Sequence, residues 1–283
     1  METKYFRTHI FYFIISYILL VVFLFFTSYK IFLNDFVLLE KIQNENNIKS
    51  FLSNIDNKLK NLKNITSDYS NWDDTYEFIQ NKNKQYLYEN FRKDSETLKD
   101  LNINSMIFIN LKNEVIFSVY NNKDLENNKS NFEEFITTKF KEKTNLHTII
   151  NFNSNFLFLS KNEILRSDKT GEIEGYLVTI KLLNTGLLND NTIFEEIEIK
   201  NEKTTSTDLK LNFELLKNIN IKIETTSSNI LNRIDFFFFF FKYISSINTS
   251  LNRELVKNST ETIYIFIQKF YYLFFILFIK TNI

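Results

Sequence analysis

The chain has 283 residues, enough for one or two domains with a buried core. Its 34 basic and 34 acidic side chains cancel and lie scattered, with no basic stripe, which speaks against nucleic acid or an acidic substrate as partner. There is no Cys, which excludes disulfides and thiolate metal sites, and no Pro and few Gly in a sequence rich in Asn, Lys, Ile and Phe. That usage is the mark of an AT-rich gene, so the missing Pro says little about turns, because Asn can occupy left-handed turn positions.

Residues 1–8 form a short N-terminal segment expected in the cytoplasm, and His9 to Tyr29 reads as a transmembrane helix. Phe11 to Phe26 is apolar apart from Ser16 and the tyrosine hydroxyls, and about 20 residues of helix cross a bilayer core. No small-residue cleavage site follows, so the segment reads as an uncleaved anchor. Lys4 and Arg7 before it, against Lys30 after it, place the N-terminus on the cytoplasmic side of an inner or cell membrane and the rest outside.

Residues 30–228 are expected to form the extracytoplasmic domain. It begins with a long helix from about Asn34 to Thr66, about 50 Å in length. Ile48, Leu52, Ile55, Leu59 and Leu62 recur at three- and four-residue steps and make one apolar seam. Two readings stand: the seam packs on its own domain, or it pairs two copies as a homodimer. Short helices follow from Asn71 to Asn102. The period then changes to strands at Ser105–Asn110 and Glu114–Tyr120, with Leu111-Lys112-Asn113 as a hairpin turn. Asn131 to Lys143 is an amphipathic helix with Phe132, Phe135, Ile136 and Phe140 on one face. Strands resume at Thr148–Phe152, Phe156–Ser160, Gly175–Leu182, Ile193–Lys200 and Ile219–Thr225, so the class is α+β.

Residues 229–283 are an apolar C-terminal region. Ile263 to Ile279 is the expected second membrane helix, and Asn229 to Ile247 is a poorer candidate because Arg233, Asp235 and Lys242 interrupt it. Phe236 to Phe241 is a run of six phenylalanines. Phe codons are thymine-rich, so a one-base slip in that run is one expectation, in which an out-of-frame stretch replaces a lost output domain. The other is a short sensor whose second helix is Ile263–Ile279.

Motifs for catalysis are sparse. Gly171, Gly175 and Gly186 cannot build a phosphate-binding turn, and His9 and His147 cannot pair on a metal. No enzyme, cofactor or metal centre is expected. The informative stretch runs from Asp68 to Asn90, DYSNWDDTYEFIQNKNKQYLYEN, around the chain's one tryptophan. Trp72 and Tyr76 share a helical face, with Asp68 a turn before and Asp73 beside them. The residues read either as an aromatic pin holding the helix to the sheet or as a pocket for a small cationic or polar ligand; in both, Trp72 is expected to be buried near Asp68 or Asp73.

This D-x-x-x-W-D-D-x-Y motif, followed by Asn83, Tyr86, Asn90 and the strand LNINSMIFIN, resembles the CHASE4 family. The later stretch LSKNEILRSDKTGEIEGYLVTIKLL is also similar to that family, with Glu163 where the family often has Pro. The resemblance covers about Phe36 to Asn184 and carries over Asp68, Trp72, Asp73, Tyr76, Asn90, Gly175 and Leu177. It implies an extracytoplasmic sensor of a bacterial or archaeal signalling protein, with a long helix and a Cache- or PAS-like antiparallel sheet, an unidentified small-molecule ligand and the lipid bilayer as partner. A membrane-tethered structural or interaction protein without a ligand is the alternative.

Overall fold

The computed structural model describes residues 2–81, 83–91, 96–153, 155–183, 196–200, 209–216, 219–226, 229–237 and 244–253. The expected second membrane helix, 263–279, lies outside the described residues, as do the last four phenylalanines of the run.

With no Pro in the chain and no Gly before position 171, nothing in the sequence breaks the first helix, and α1 (Glu2–Ser70) runs without interruption through the expected anchor and the long helix behind it. Among the described residues it is the one helix long and apolar enough to cross a membrane. None of its most apolar 18-residue window is buried within the chain. The helix ends where Asn71 N donates to Ser67 O, and Asp73 and Asp74 then open α2 (Asp73–Asn81), where acidic side chains suit the positive end of the helix. Helices α3 (Lys84–Phe91) and α4 (Thr97–Asp100) complete the helical stretch expected between 71 and 102.

The first sheet is antiparallel throughout, with strand order β2 (Val115–Tyr120), β1 (Ser105–Asn110), β5 (Gly175–Leu182), β4 (Asn155–Ile164) and β3 (Leu146–Phe152). Between β2 and β3 lie α5 (Lys123–Asn127) and α6 (Lys129–Lys139). Because strand side chains alternate, the sheet has two apolar faces. One face carries Ile107, Ile109, Val178, Ile180, Leu157 and Leu159 into a cluster with Phe132, Ile136 and Phe140 of the α5–α6 layer. On the opposite face Phe108 meets Phe78, Tyr86 and Phe91 of α2 and α3, and Thr66 of α1 hydrogen-bonds Thr179. Gly175 opens β5 where a Cβ would stand 2.3 Å from the Ile109 carbonyl, so the close approach of β5 to β1 there needs glycine.

The second sheet has the order β6 (Glu196–Lys200), β10 (Ile244–Asn252), β9 (Asn229–Phe237), β8 (Ile219–Thr225) and β7 (Leu209–Leu211). The strand pair β9 and β10 falls in the region read above as an apolar membrane candidate. Ile230, Asn232 and Ile234 point inward at alternate positions, a strand period hidden by the run of phenylalanines beside it. The fully buried Asp56 of α1 accepts the backbone N–H of Leu215 and of Leu216, both at 2.9 Å, ahead of β8.

The described residues fall into two compact units. One holds 2–48, 225–226, 229–230 and 251–253, and the other holds the remainder. In the first, Glu40 of α1 pairs with Arg253 at 2.9 Å, and Arg253 Nη1 donates to Thr226 O, so a nearly buried ion pair joins the helix to the end of β10.

The seam Ile48, Leu52, Ile55, Leu59 and Leu62 is at most 1% exposed within the single chain. That is the packing on its own domain that was one of the two readings, with the seam side chains set among apolar neighbours of the same chain. Asn serves the turns as expected. Of the four described non-glycine residues with positive φ, Asn102, Asn113 and Asn153 are asparagines, and Asn113 closes the β1–β2 hairpin.

Substituting Gly175→Ala is expected to cost about 1–3 kcal/mol, since the clash is with backbone and not with a side chain that can swing away. Chemical denaturation of the full chain measures it; an unchanged midpoint would show that β5 does not approach β1 so closely.

Candidate functional site

Of the five residues singled out in the sequence, the structure brings Asp73 and Tyr76 together on one loop. Asp73 and Tyr76 turn toward the β4–β5 connection, 165–174, and hold it. Asp73 accepts from Ser167 twice, from the backbone N–H at 3.0 Å and from the hydroxyl at 2.8 Å. Those two bonds, and then the nearby Arg166 guanidinium, hold its carboxyl below the usual range. Tyr76 is 5% exposed. Its ring lies 4.9 Å from the Arg166 guanidinium, and its hydroxyl donates to Glu174, which also accepts from Gln80. Gly171, at φ 90°, brings the loop so close that a Cβ would sit 3.5 Å from the Tyr76 hydroxyl. Leu165 N donates to Ser70 O at the last residue of α1. The motif therefore latches the α1–α2 junction to the loop that carries Leu165, Arg166, Ser167 and Gly171.

Trp72 departs from the expectation. It is 39% exposed, in the break between α1 and α2, and stacks on Tyr69 with ring centroids 4.3 Å apart. The helix ends at Ser70, so Trp72 leaves the face that Tyr76 buries, and the pin is Tyr76. Asp68 is exposed on the last turn of α1. Asn90 lies apart from the others. Its amide donates to Tyr86 O, and its own carbonyl accepts from Thr97, tying α3 to α4. Tyr86, a motif neighbour, is buried, shares a hydrogen bond with Thr75 and stacks on Phe78 at 5.0 Å; burial raises its phenol pKa.

Two further titratable groups sit in the sheet. His147, on the α1 face, shares a hydrogen bond with Ser160, and burial, with Lys63 nearby, lowers its pKa to about 4. Lys161, on the α6 face, is 1% exposed. It donates to the Phe140 carbonyl at the end of α6 and lies 4.2 Å from the Tyr176 ring centre. Burial lowers its pKa to about 8. No sequence motif marked it; its alternation with Leu157 and Leu159 is the one signal that it faces inward.

A five-stranded antiparallel sheet with helices on both faces, carried on the end of a long N-terminal helix and latched at the helix tip, defines the class: an α+β domain built along a helical spine. The CHASE4 domain model matches residues 54–191. The match begins in α1 and takes in the whole first sheet. No curated protein matches the chain. Among solved structures the chain is similar to the extracellular domain of vpHK1S-Z8, described as a histidine kinase (TM-score 0.47, 9% identity, covering 76% of this chain and 96% of that one). It is also similar to the Vibrio cholerae LuxQ periplasmic domain (0.44, 10%, 71% and 94%). The sensor domain of the V. cholerae histidine kinase DctB is a third (0.42, 9%, 80% and 98%).

Trp72→Ala is expected to cost about 1 kcal/mol, the worth of one exposed aromatic pair. Tyr76→Ala is expected to cost about 3 kcal/mol, as for a buried aromatic truncated in a core. Thermal melts of the two variants check the order; a larger loss for Trp72→Ala would restore tryptophan as the pin.

Proposed function

We propose that this chain is the input module of a signal receptor: a membrane-anchored sensor whose CHASE4 domain lies outside the cytoplasm. The observation that carries the reading is α1. One uninterrupted helix bears, toward its N-terminus, an apolar stretch with no protein covering it and, in its last turns, the residues that fasten it to the sheet. A helix of that kind is a natural carrier of displacement between a ligand-responsive sheet and a bilayer. Two five-stranded sheets in succession after one long helix also fit a Cache-like layout. Tyr76, Asp73 and the 165–174 loop supply a rigid tip on which such a sheet could change shape without unfolding. The module binds and relays, and any chemistry belongs to another domain or protein.

In this arrangement the N-terminus is cytoplasmic and the domain is periplasmic or extracellular. Lys4 and Arg7 ahead of the apolar stretch support that orientation. Protease added to intact spheroplasts carrying the full chain is expected to cut between Lys30 and Arg233. Cutting seen only after the membrane is permeabilised would put the domain in the cytoplasm and end the sensor reading.

A further inference from the structure

The first sheet has a polar edge beneath the α5–α6 layer. Tyr120 and Ser118 of the edge strand β2 and Ser105 of β1 lie on the sheet face that α6 covers, with Ser105 directly across the ladder from Tyr120. Glu133 of α6 reaches down to them. Its Oε1 accepts from Ser118 Oγ at 2.5 Å and from the Tyr120 hydroxyl at 3.2 Å. The same oxygen is 3.8 Å from Lys129 Nζ, one helical turn back, and that ammonium is 5.9 Å from the centre of the Tyr120 ring. Among the described residues, the hydrogen bonds and the ion pair of Glu133 all fall on Oε1. Ser105 is fully buried at the floor of the group; its Oγ lies next to the Tyr120 hydroxyl yet makes no hydrogen bond of ordinary geometry. Burying a hydroxyl without a partner is unfavourable, and a structural tie between α6 and β2 would not need it.

We infer that this edge is a binding site for a primary ammonium ligand, built from Glu133, Tyr120, Ser118 and Ser105, in which Lys129 stands where the ligand's ammonium would go. Recognition of such a cation needs a carboxylate, an aromatic face and hydroxyl acceptors around three N–H donors, and these four side chains supply them. Lys129 shows where a cation settles, but its grip is loose. The nitrogen is beyond hydrogen-bond distance of the carboxylate, and its side chain is 48% exposed while that of Glu133 is 18% exposed. A free amine is not tethered to the helix backbone, so it can approach Oε2 and pass deeper toward Ser105. The site can be reached from solvent because β2 is the sheet's edge and every residue in it is half-buried.

This inference rests on the sensor reading and names its ligand class. The test uses the full chain in nanodiscs, with methylamine, putrescine, spermidine and glycinamide as probes, and choline and acetate as controls. At least one primary amine is expected to raise the melting temperature, by about 5 °C at 100 times its dissociation constant. Glu133→Gln should abolish that response. Lys129→Met should strengthen it, tightening calorimetric affinity about twofold, because an exposed i,i+4 ion pair that competes with the ligand is gone. Lys129 is exposed at the first residue of α6, so this variant folds whether or not Glu133→Gln does. Absence of any amine response in both the wild type and Lys129→Met overturns the site, as does a response that Glu133→Gln leaves intact or that choline matches. Each of those results leaves the protease-defined topology, and with it the sensor reading, untouched.

Discussion

Everything in the larger unit depends on how the second half of α1 is fastened. An apolar seam alone would let a helix slide or rotate over a sheet, since burial is non-directional. Here the seam is accompanied by two buried polar hooks, Asp56 and Thr66, each with a partner on α1 itself and a partner beyond it. Thr66 and Thr179 share a buried hydrogen bond with the first sheet, and Asp56 takes two backbone N–H groups ahead of β8. The buried Thr179 hydroxyl and Leu216 amide would be left unsatisfied without those hooks, which is more costly than the bonds themselves are favourable. The hooks therefore fix the register of the helix against both sheets, and the apolar contacts supply the bulk of the attraction.

The latch at the helix tip extends the same logic. Asp73 and Tyr76 leave α1 behind and seize the β4–β5 connection, which ties the end of the spine to two neighbouring inner strands of the sheet. The ion pair of Glu40 with Arg253 marks a second, separate fastening lower on the helix, in the other unit.

Much of this architecture is written in residue spacing. The strands Ser105–Asn110, Gly175–Leu182 and Ile219–Thr225 fall at the residues expected, because apolar runs there are short and bounded by Asn, Gly or Thr. Both readings of the α1 seam were open, since periodicity says that a face is apolar but not what covers it. The strands Asn229–Phe237 and Ile244–Asn252 escaped notice because total hydrophobicity around the phenylalanine run outweighed the alternation of Ile230, Asn232 and Ile234. Trp72 drew attention by rarity and size, yet the end of α1 at Ser70 decides its exposure, and the smaller Tyr76 does the holding. Lys161 and Ser105 lie inside the family-like stretches, but nothing there singles them out. Their burial follows from strand register, which becomes visible only when partners across the ladder are known.

The central claim is that residues 52–66 of α1 and the first sheet form one cooperative core. Hydrogen–deuterium exchange of the full chain in nanodiscs reads this directly. Amides of 52–66 should exchange as slowly as those of 175–182, and Thr179→Val should speed both together. Fast exchange of the helix beside a protected sheet would contradict the account, since the helix would then be an attached neighbour and not the spine of the domain.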